Sequence, residues 1–136
     1  MDAMQALSEL TEISSQIEAA CLFDTGGTDA ASTLADDEAT GRFVAAARAL
    51  LDAARSGSRD ADSAPLAQLH ATTLEGSVFV VLDDGLAAAA ATGPEPTVGL
   101  VFYDLKSCLR AARTSGEGDG KPRPQARKKE ASESAA

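Results

Sequence analysis

The stretch SVFVVLDDGLAAAAAT (residues 77–92) decides the fold class of this chain. Residues 77–82 form an apolar run rich in β-branched side chains, which is typical of a buried strand. Asp84 and Gly85 follow, and this dipeptide favours a two-residue hairpin turn because both positions accept a positive φ. The stretch therefore predicts an antiparallel hairpin, with residues 77–82 as the central strand of its sheet and residues 86–92 as the returning strand.

The residues before this hairpin extend the pattern. Residues 66–74 are predicted as a strand, and Glu75 with Gly76 supplies the turn that makes an antiparallel meander of three strands. Further upstream, Asp36 or Asp37 can cap a helix that runs to about Arg55. Its apolar positions recur at i, i+1, i+4, i+7, i+8 and i+11, which is an amphipathic stripe. These positions are Phe43, Val44, Ala47, Leu50, Leu51 and Ala54.

The two ends of the chain supply the remaining elements. Residues 3–17 have helical spacing, and residues 19–24 then form a short strand. Residues 24–27 contain a Gly-Gly turn, after which residues 30–35 return as a sparse second strand. After the break at residues 93–96, a last helix runs to about residue 113. The predicted fold is α+β, a five-stranded antiparallel sheet with three helices in the order α-β-β-α-β-β-β-α.

Charge divides the chain into a body and a tail. Residues 1–113 carry 17 acidic and 7 basic residues, a net charge of −10, whereas residues 114–136 carry 4 acidic and 5 basic residues, a net of +1. Residues 1–113 are therefore predicted to form one domain, and residues 114–136 a disordered charged tail. The basic segment 121–129 is interpreted as a solubilising terminus, with contact to an anionic lipid surface or an acidic partner as the alternative.

The overall composition argues against nucleic-acid binding, secretion and membrane insertion. The net charge of −9 repels phosphate backbones, and five aromatic residues offer little stacking surface, so no nucleic-acid partner is predicted. The amino terminus lacks the charge pattern of a signal peptide, and the longest apolar run is too short for a transmembrane segment. The expected location is the cytoplasm. Cys21 and Cys108 are predicted to be buried, reduced thiols, with a single disulfide between them as the alternative.

The residue types that carry chemistry do not combine into a catalytic pattern. His70 is the only histidine and has no nearby partner in sequence, so a structural or interface role is predicted. Asp83 and Asp84 are interpreted as turn residues, and residues 116–121 lack the spacing and the preceding strand of a phosphate-binding loop. We therefore predict no catalytic residues, no metal site and no cofactor, and the chain is not expected to be an enzyme.

The order of elements resembles the roadblock family, also called the dynein light-chain roadblock type. The matching features span residues 4–113. They are the opening helix with Leu7 and Leu10, the strand that ends at Asp24 before a glycine turn, the helix around residues 43–51, the strand at residues 75–81, and the sequence Thr97-Val98-Gly99-Leu100. The second hairpin strand at residues 30–35 is sparser in aliphatic residues than is usual in the family.

This resemblance implies a homodimer, or a heterodimer with a paralogue, that continues the sheet across two subunits. It places the dimer surface on the second helix and the first strand of the meander. The implied interface residues are Phe43, Ala47, Leu50, Leu51, Ala54, Leu66, Gln68, His70 and Thr72. The resemblance also implies a non-enzymatic scaffold or regulator of a small Ras-like GTPase, which would act by ordering the switch loops of its partner.

Two alternatives belong to other functional classes. A profilin-like module would sense a small ligand in a pocket between helix and sheet, and such a ligand would raise its melting temperature. A purely structural subunit of a larger complex would have no effect on GTP hydrolysis. Neither the identity of a GTPase nor the choice between self-pairing and pairing with a paralogue follows from the sequence.

Overall fold

Three helices and five strands make up the computed structural model, which describes residues 2–27, 29–57 and 67–120, with side chains to residue 113 in the last range. The elements are α1 (Ala3–Ile13), β1 (Ile17–Asp24), β2 (Ala30–Ser32), α2 (Asp37–Gly57), β3 (Gln68–Thr72), β4 (Ser77–Asp83), β5 (Leu86–Thr92) and α3 (Val98–Gly120). Their order confirms the predicted α+β class and the sequence of helices and strands.

The strands form one antiparallel sheet in the order β2-β1-β5-β4-β3. The prediction that residues 77–82 lie at the centre is wrong, because the central strand is β5. Its residues Ala87, Ala88, Ala89 and Ala90 are each 0% exposed, alternating between the two faces of the sheet. Methyl side chains leave room for helices to pack closely on both faces, so the strand with the smallest side chains occupies the middle.

Local signals set most element boundaries. Asp2 caps α1 by accepting a hydrogen bond from the Gln5 backbone N–H at 2.8 Å, and the Gln5 Oε1 atom accepts a hydrogen bond from the Asp2 N–H. Asp36 accepts from the Glu38 N–H at 3.1 Å at the start of α2. In the β4–β5 turn, Asp84 and Gly85 have φ of 49° and 89°. The predicted hairpin turn therefore forms with positive φ at both positions.

Several predicted boundaries are wrong by a few residues. Helix α1 ends at Ile13 and not at residue 17, because Ser14 adopts extended backbone angles and a turn leads directly into β1. Strand β2 covers only Ala30–Ser32. Helix α3 continues past its predicted end at about Arg113 and ends at Gly120. Residues 121–136, and with them the basic segment, lie outside the described residues.

Candidate functional site

Helices cover the two faces of the sheet unequally. On one face, α1 packs over β1 and β2 while α3 packs over β5 and β4, and their side chains enclose a core that includes Leu7, Leu105 and Phe79. On the other face, α2 is the only helix in the described ranges and packs chiefly over β1 and β2. Its buried residues contact Cys21 and Phe23 of β1. The half of that face formed by β4 and β3 is therefore less covered.

An apolar surface remains on this less covered half. Leu69 of β3 and Val78 and Leu82 of β4 are half-buried, and Phe43 of α2 packs against the same buried cluster. We call these four residues the open-face surface. Val80 lies among them but is fully buried, so the surface sits on a well-packed base. Partly exposed apolar side chains grouped in this way make the surface a candidate interaction site.

The open-face surface adjoins a free sheet edge. Strand β3 pairs with β4 alone within the described part of the chain. The Leu82 N–H donates to the Ala67 carbonyl and the Thr73 N–H donates to the Gly76 carbonyl, so odd-numbered residues of β3 face β4. Because backbone groups alternate along a strand, those of Gln68, His70 and Thr72 point away from the sheet. They are available to another strand.

His70 lies in the middle of this edge strand. Its ring stacks on Phe79 with ring centres 4.3 Å apart and planes at 9°, and it meets the edge of the Phe102 ring at 6.5 Å. The Thr72 hydroxyl lies 3.2 Å from His70 Nε2. These contacts hold the imidazole on the α3 side of the sheet, which fits the predicted structural or interface role.

The structure distributes the nine predicted interface residues among three environments. Phe43, Leu50 and Ala54 of α2 are half-buried, and Gln68, His70 and Thr72 of β3 are exposed. Ala47 and Leu51 are 0% and 2% exposed because they pack on β1 within the chain, so they cannot form a contact surface for a partner. Leu66 lies outside the described residues. Leu69 lies in the strand that the resemblance assigned to the interface, whereas Val78 and Leu82 of β4 were not among the predicted residues, since a strand pattern does not reveal which face lacks a helix.

Arg48 has a structural role that its position on an amphipathic helix does not reveal. Its guanidinium donates to the carbonyl oxygens of Asp24 and Gly27, each at 2.7 Å, and of Thr25 at 3.0 Å. It also lies 5.0 Å above the ring of Phe23. Arg48 therefore fastens α2 to the β1–β2 turn, and its donors are engaged within the chain.

Arg113 makes the corresponding link on the other face. It donates to the Asp83 carbonyl at 3.1 Å and to the Asp84 carboxylate at 3.0 Å. This fastens α3 to the β4–β5 turn. The interpretation of Asp83 and Asp84 as turn residues is confirmed, because both serve the turn and its attachment to α3.

The remaining features relevant to chemistry are the two cysteines, the metal-binding side chains and the clefts. Cys21 and Cys108 are buried and unlinked, as predicted, and burial raises the pKa of Cys21 to about 12 and that of Cys108 to about 11. In the portions that the structure describes, no three metal-binding side chains cluster together, and no helix has the length and apolarity to span a membrane. The clefts there include one of about 110 Å³ beside Arg48 and one of about 330 Å³ beside β2.

A single antiparallel sheet of this order, flanked by two helices on one face and one on the other, is the fold of Roadblock/LC7 domains. The sequence matches no protein-family model and no curated protein. Solved structures show the likeness. A Roadblock/LC7 domain from Streptomyces avermitilis superposes with a TM-score of 0.75 at 20% identity, covering 86% of this chain and 99% of that one.

Two further solved structures share the fold. MglB from Myxococcus xanthus has a TM-score of 0.67 at 11% identity, covering 85% of this chain and 95% of that one. The gliding protein MglB from Thermus thermophilus has a TM-score of 0.62 at 15% identity, covering 85% and 89% of the two chains. The roadblock-type fold expected from the sequence is confirmed.

Proposed function

We propose that this chain is a non-enzymatic dimeric scaffold or regulator that binds a small Ras-like GTPase through its surface. The observation that supports the proposal most directly is the open-face surface beside a free strand edge. Leu69, Val78 and Leu82 remain half-buried while the backbone groups of β3 point outward. A second roadblock-type chain offers both a strand for the edge and a helix for the apolar surface.

Pairing of two β3 strands would satisfy both features at once. Strand edges with unpaired N–H and C=O groups bind a further strand through main-chain hydrogen bonds. An antiparallel pair related by a two-fold axis would join the two sheets into one. The partner's α2 would then lie over the open-face surface and bring Leu50 and Ala54 into contact with it. The small side chain of Ala54 allows close approach of the two helices.

The GTPase part of the proposal rests on the resemblance to the roadblock family and on the absence of a ready catalytic group in the described residues. Arg48 is engaged by three carbonyl oxygens, and Arg42 forms an exposed ion pair with Glu38 at 3.5 Å. Neither is presented as a catalytic arginine. The chain would therefore act by holding the switch loops of the GTPase in an ordered state, with the reacting groups supplied by the GTPase.

The experiment that tests pairing is molar mass in solution by light scattering, with variants at the strand edge and on the helix. We expect the wild type to have twice the mass of one chain. Gln68→Pro removes an outward N–H without touching the β4 ladder, and Leu50→Asp places a charge on the α2 surface, so both are expected to be folded monomers. Gln68→Thr keeps the N–H and is the matched control, which should remain a dimer.

A monomeric wild type, or a Gln68→Pro variant that stays dimeric, would contradict the proposed pairing. The GTPase role is tested separately with purified small Ras-like GTPases loaded with GDP or a non-hydrolysable GTP analogue. Binding that prefers the GTP state, and that Leu50→Asp weakens, is the expected result. A dimer that binds none of them, whatever the nucleotide, would leave the purely structural subunit as the better account.

A further inference from the structure

A second surface lies between α1 and α3, on the face of the sheet away from α2. The two helices run antiparallel. Gln16, just after α1, accepts a hydrogen bond from the Thr97 N–H at the start of α3 at 2.5 Å. Towards the other end, the Glu9 carboxylate of α1 contributes to the raised pKa of Cys108 in α3, so these two residues are close. The end of α1 therefore lies beside the first turns of α3.

Asp104 lies buried at this junction with its charge unpaired. It is only 6% exposed. Phe102 points towards β3 and β4, where it meets the rings of His70 and Phe79. Since two residues turn a helix by about 200°, Asp104 lies on the opposite side of α3, which faces α1. Among the described residues its carboxylate has no hydrogen-bond or ion-pair partner.

An unpaired buried carboxylate is unfavourable in a folded protein. Carboxylates in folded chains are usually paired or solvated, so one that is largely covered and has no partner in the chain can accept a cation from outside. The Asp104 oxygens are absent from the set of fully enclosed, unpartnered polar atoms, which within the described residues contains only Ser14 Oγ. Asp104 therefore keeps a narrow opening to solvent, through which a cationic side chain can reach it.

Exposed apolar side chains lie on the same parts of α1 and α3. Ile13 at the end of α1 is 66% exposed, and Leu100 and Tyr103 on the first turns of α3 are 49% and 64% exposed. Leu100 and Tyr103 are three residues apart and so lie on neighbouring positions of one helix face. We call Ile13, Leu100, Tyr103 and Asp104 the α1–α3 groove. Its apolar members offer contacts that would exclude water around a bound cation.

The surrounding charge is acidic. Glu9 and Glu12 on α1 and Glu95 before α3 are exposed near the groove. The described cations lie elsewhere, on α2 and on the later turns of α3 from Lys106 onward. A partner for this groove must therefore bring positive charge together with apolar surface.

We propose that the α1–α3 groove binds a segment of another protein in which a lysine or arginine is flanked by apolar side chains. The cation pairs with the Asp104 carboxylate, while its methylene stem lies along the Tyr103 ring. The apolar neighbours of the cation pack on Ile13 and Leu100. This site is separate from α2 and from the β3 edge, so it does not rest on the dimer proposed above.

The test uses the full-length chain and two fluorescein-labelled peptides. One is an amphipathic helix of Leu and Lys, and its twin carries Glu at every Lys position. Anisotropy titrations at physiological salt are expected to show saturable binding of the Lys peptide and binding of the Glu twin that is at least about tenfold weaker. Amide shifts in a ¹H–¹⁵N spectrum are expected to cluster on the end of α1 and the start of α3.

Two pairs of variants distinguish binding in the groove from non-specific attraction to negative charge or to apolar surface. Asp104→Asn is expected to weaken binding of the Lys peptide by about tenfold or more, whereas Asp83→Asn makes the same charge change at the β4–β5 turn and leaves it unchanged. Leu100→Ser should weaken binding by a few-fold, and Leu74→Ser, which alters a fully exposed leucine outside the groove, should not. Thermal melting of Asp104→Asn and Asp83→Asn checks that both variants are folded, so that a loss of binding is not a loss of structure.

Several results would overturn the proposal. If the Lys peptide bound Asp104→Asn and Asp83→Asn with equal affinity, Asp104 would have no role in binding. If the Lys and Glu peptides bound the wild type with equal affinity, the groove would not select positive charge. Shifts confined to α2 and β3 would place the peptide on the other surface. Replacing Arg127, Lys128 and Lys129 by Gln in the full chain should leave the affinity unchanged. A rise of about tenfold would instead identify the chain's own basic segment as the occupant.

Discussion

The two faces of the sheet differ in how completely helices cover them. The face under α1 and α3 buries large side chains such as Leu7, Leu105 and Phe79 almost completely. The face under α2 buries Ala47 and Leu51 against β1 but leaves Leu69, Val78 and Leu82 half-buried. One helix fewer on the second face leaves apolar area that a second chain can cover. The difference assigns stability mainly to the first face, and the association proposed above would use the second.

The largest expected effect compares the same substitution on the two faces. Leu105→Ala should lower the free energy of unfolding by about 2–5 kcal/mol at any protein concentration, because it opens a cavity in a closed core. Leu69→Ala removes a half-buried side chain and should cost less in the monomer. Its cost should increase with protein concentration if pairing covers Leu69. Urea unfolding at two concentrations measures both, and a concentration-dependent cost for Leu105→Ala would contradict the division between faces.

A smaller effect is expected from the link between α2 and the β1–β2 turn. Arg48→Ala removes three charge-assisted hydrogen bonds to carbonyl oxygens and should destabilise the fold by about 1.5–3 kcal/mol. Arg42→Ala on the same helix removes only an exposed ion pair and is the matched control, with an effect under about 0.5 kcal/mol. Denaturant midpoints give both values. Equal midpoints for the two variants would show that the link is not needed.

The loss of stability at alkaline pH tests the burial of the two thiols, one on each face of the sheet. Burial raises the pKa of Cys21, under α2, to about 12 and that of Cys108, between the sheet and α3, to about 11. The unfolded thiols ionise near pH 9 while the folded thiols keep their protons, so the unfolded state is favoured as pH rises. Stability should be constant with respect to these groups below pH 9 and fall by about 1 kcal/mol per thiol by pH 10.

The thiol prediction is checked by urea unfolding from pH 7 to pH 10. Replacement of Cys21 and Cys108 by Ala should flatten the alkaline decline that each thiol contributes, whatever its effect on stability at pH 7. An unchanged slope between pH 9 and pH 10 in the doubly substituted chain would contradict this assignment.

The smallest effect concerns the link on the closed face. Arg113→Ala breaks contacts with Asp83 and Asp84 at the solvent-exposed β4–β5 turn. Because Asp84 is largely exposed and the closed core already positions α3, we expect a loss of only about 0.2–1 kcal/mol. Thermal melting in low and high salt measures it. A loss as large as that of Arg48→Ala would mean that α3 depends on its link as much as α2 does.

Turns, caps and strand periodicity could be predicted because they depend on neighbouring residues. Asp84 and Gly85 determine their hairpin by accepting positive φ, and Asp2 and Asp36 determine helix starts by accepting backbone hydrogen bonds. Leu86–Thr92 has the predicted bounds because a turn precedes it and a Gly-Pro break follows. The end of α1 was misplaced because helical spacing continues in the sequence past the residue where the backbone turns.

The position of β5 at the centre of the sheet, the half-covered face beside Val78 and Leu82, and the engagement of Arg48 were decided only by the tertiary structure. Each depends on residues far apart in the chain. An alanine strand has no pattern that distinguishes the middle of a sheet from its edge until helices pack on both sides. The sequence alone determined the elements and their order, through interactions between residues a few positions apart. Packing determined which surfaces remain open, because burial depends on what lies across the sheet.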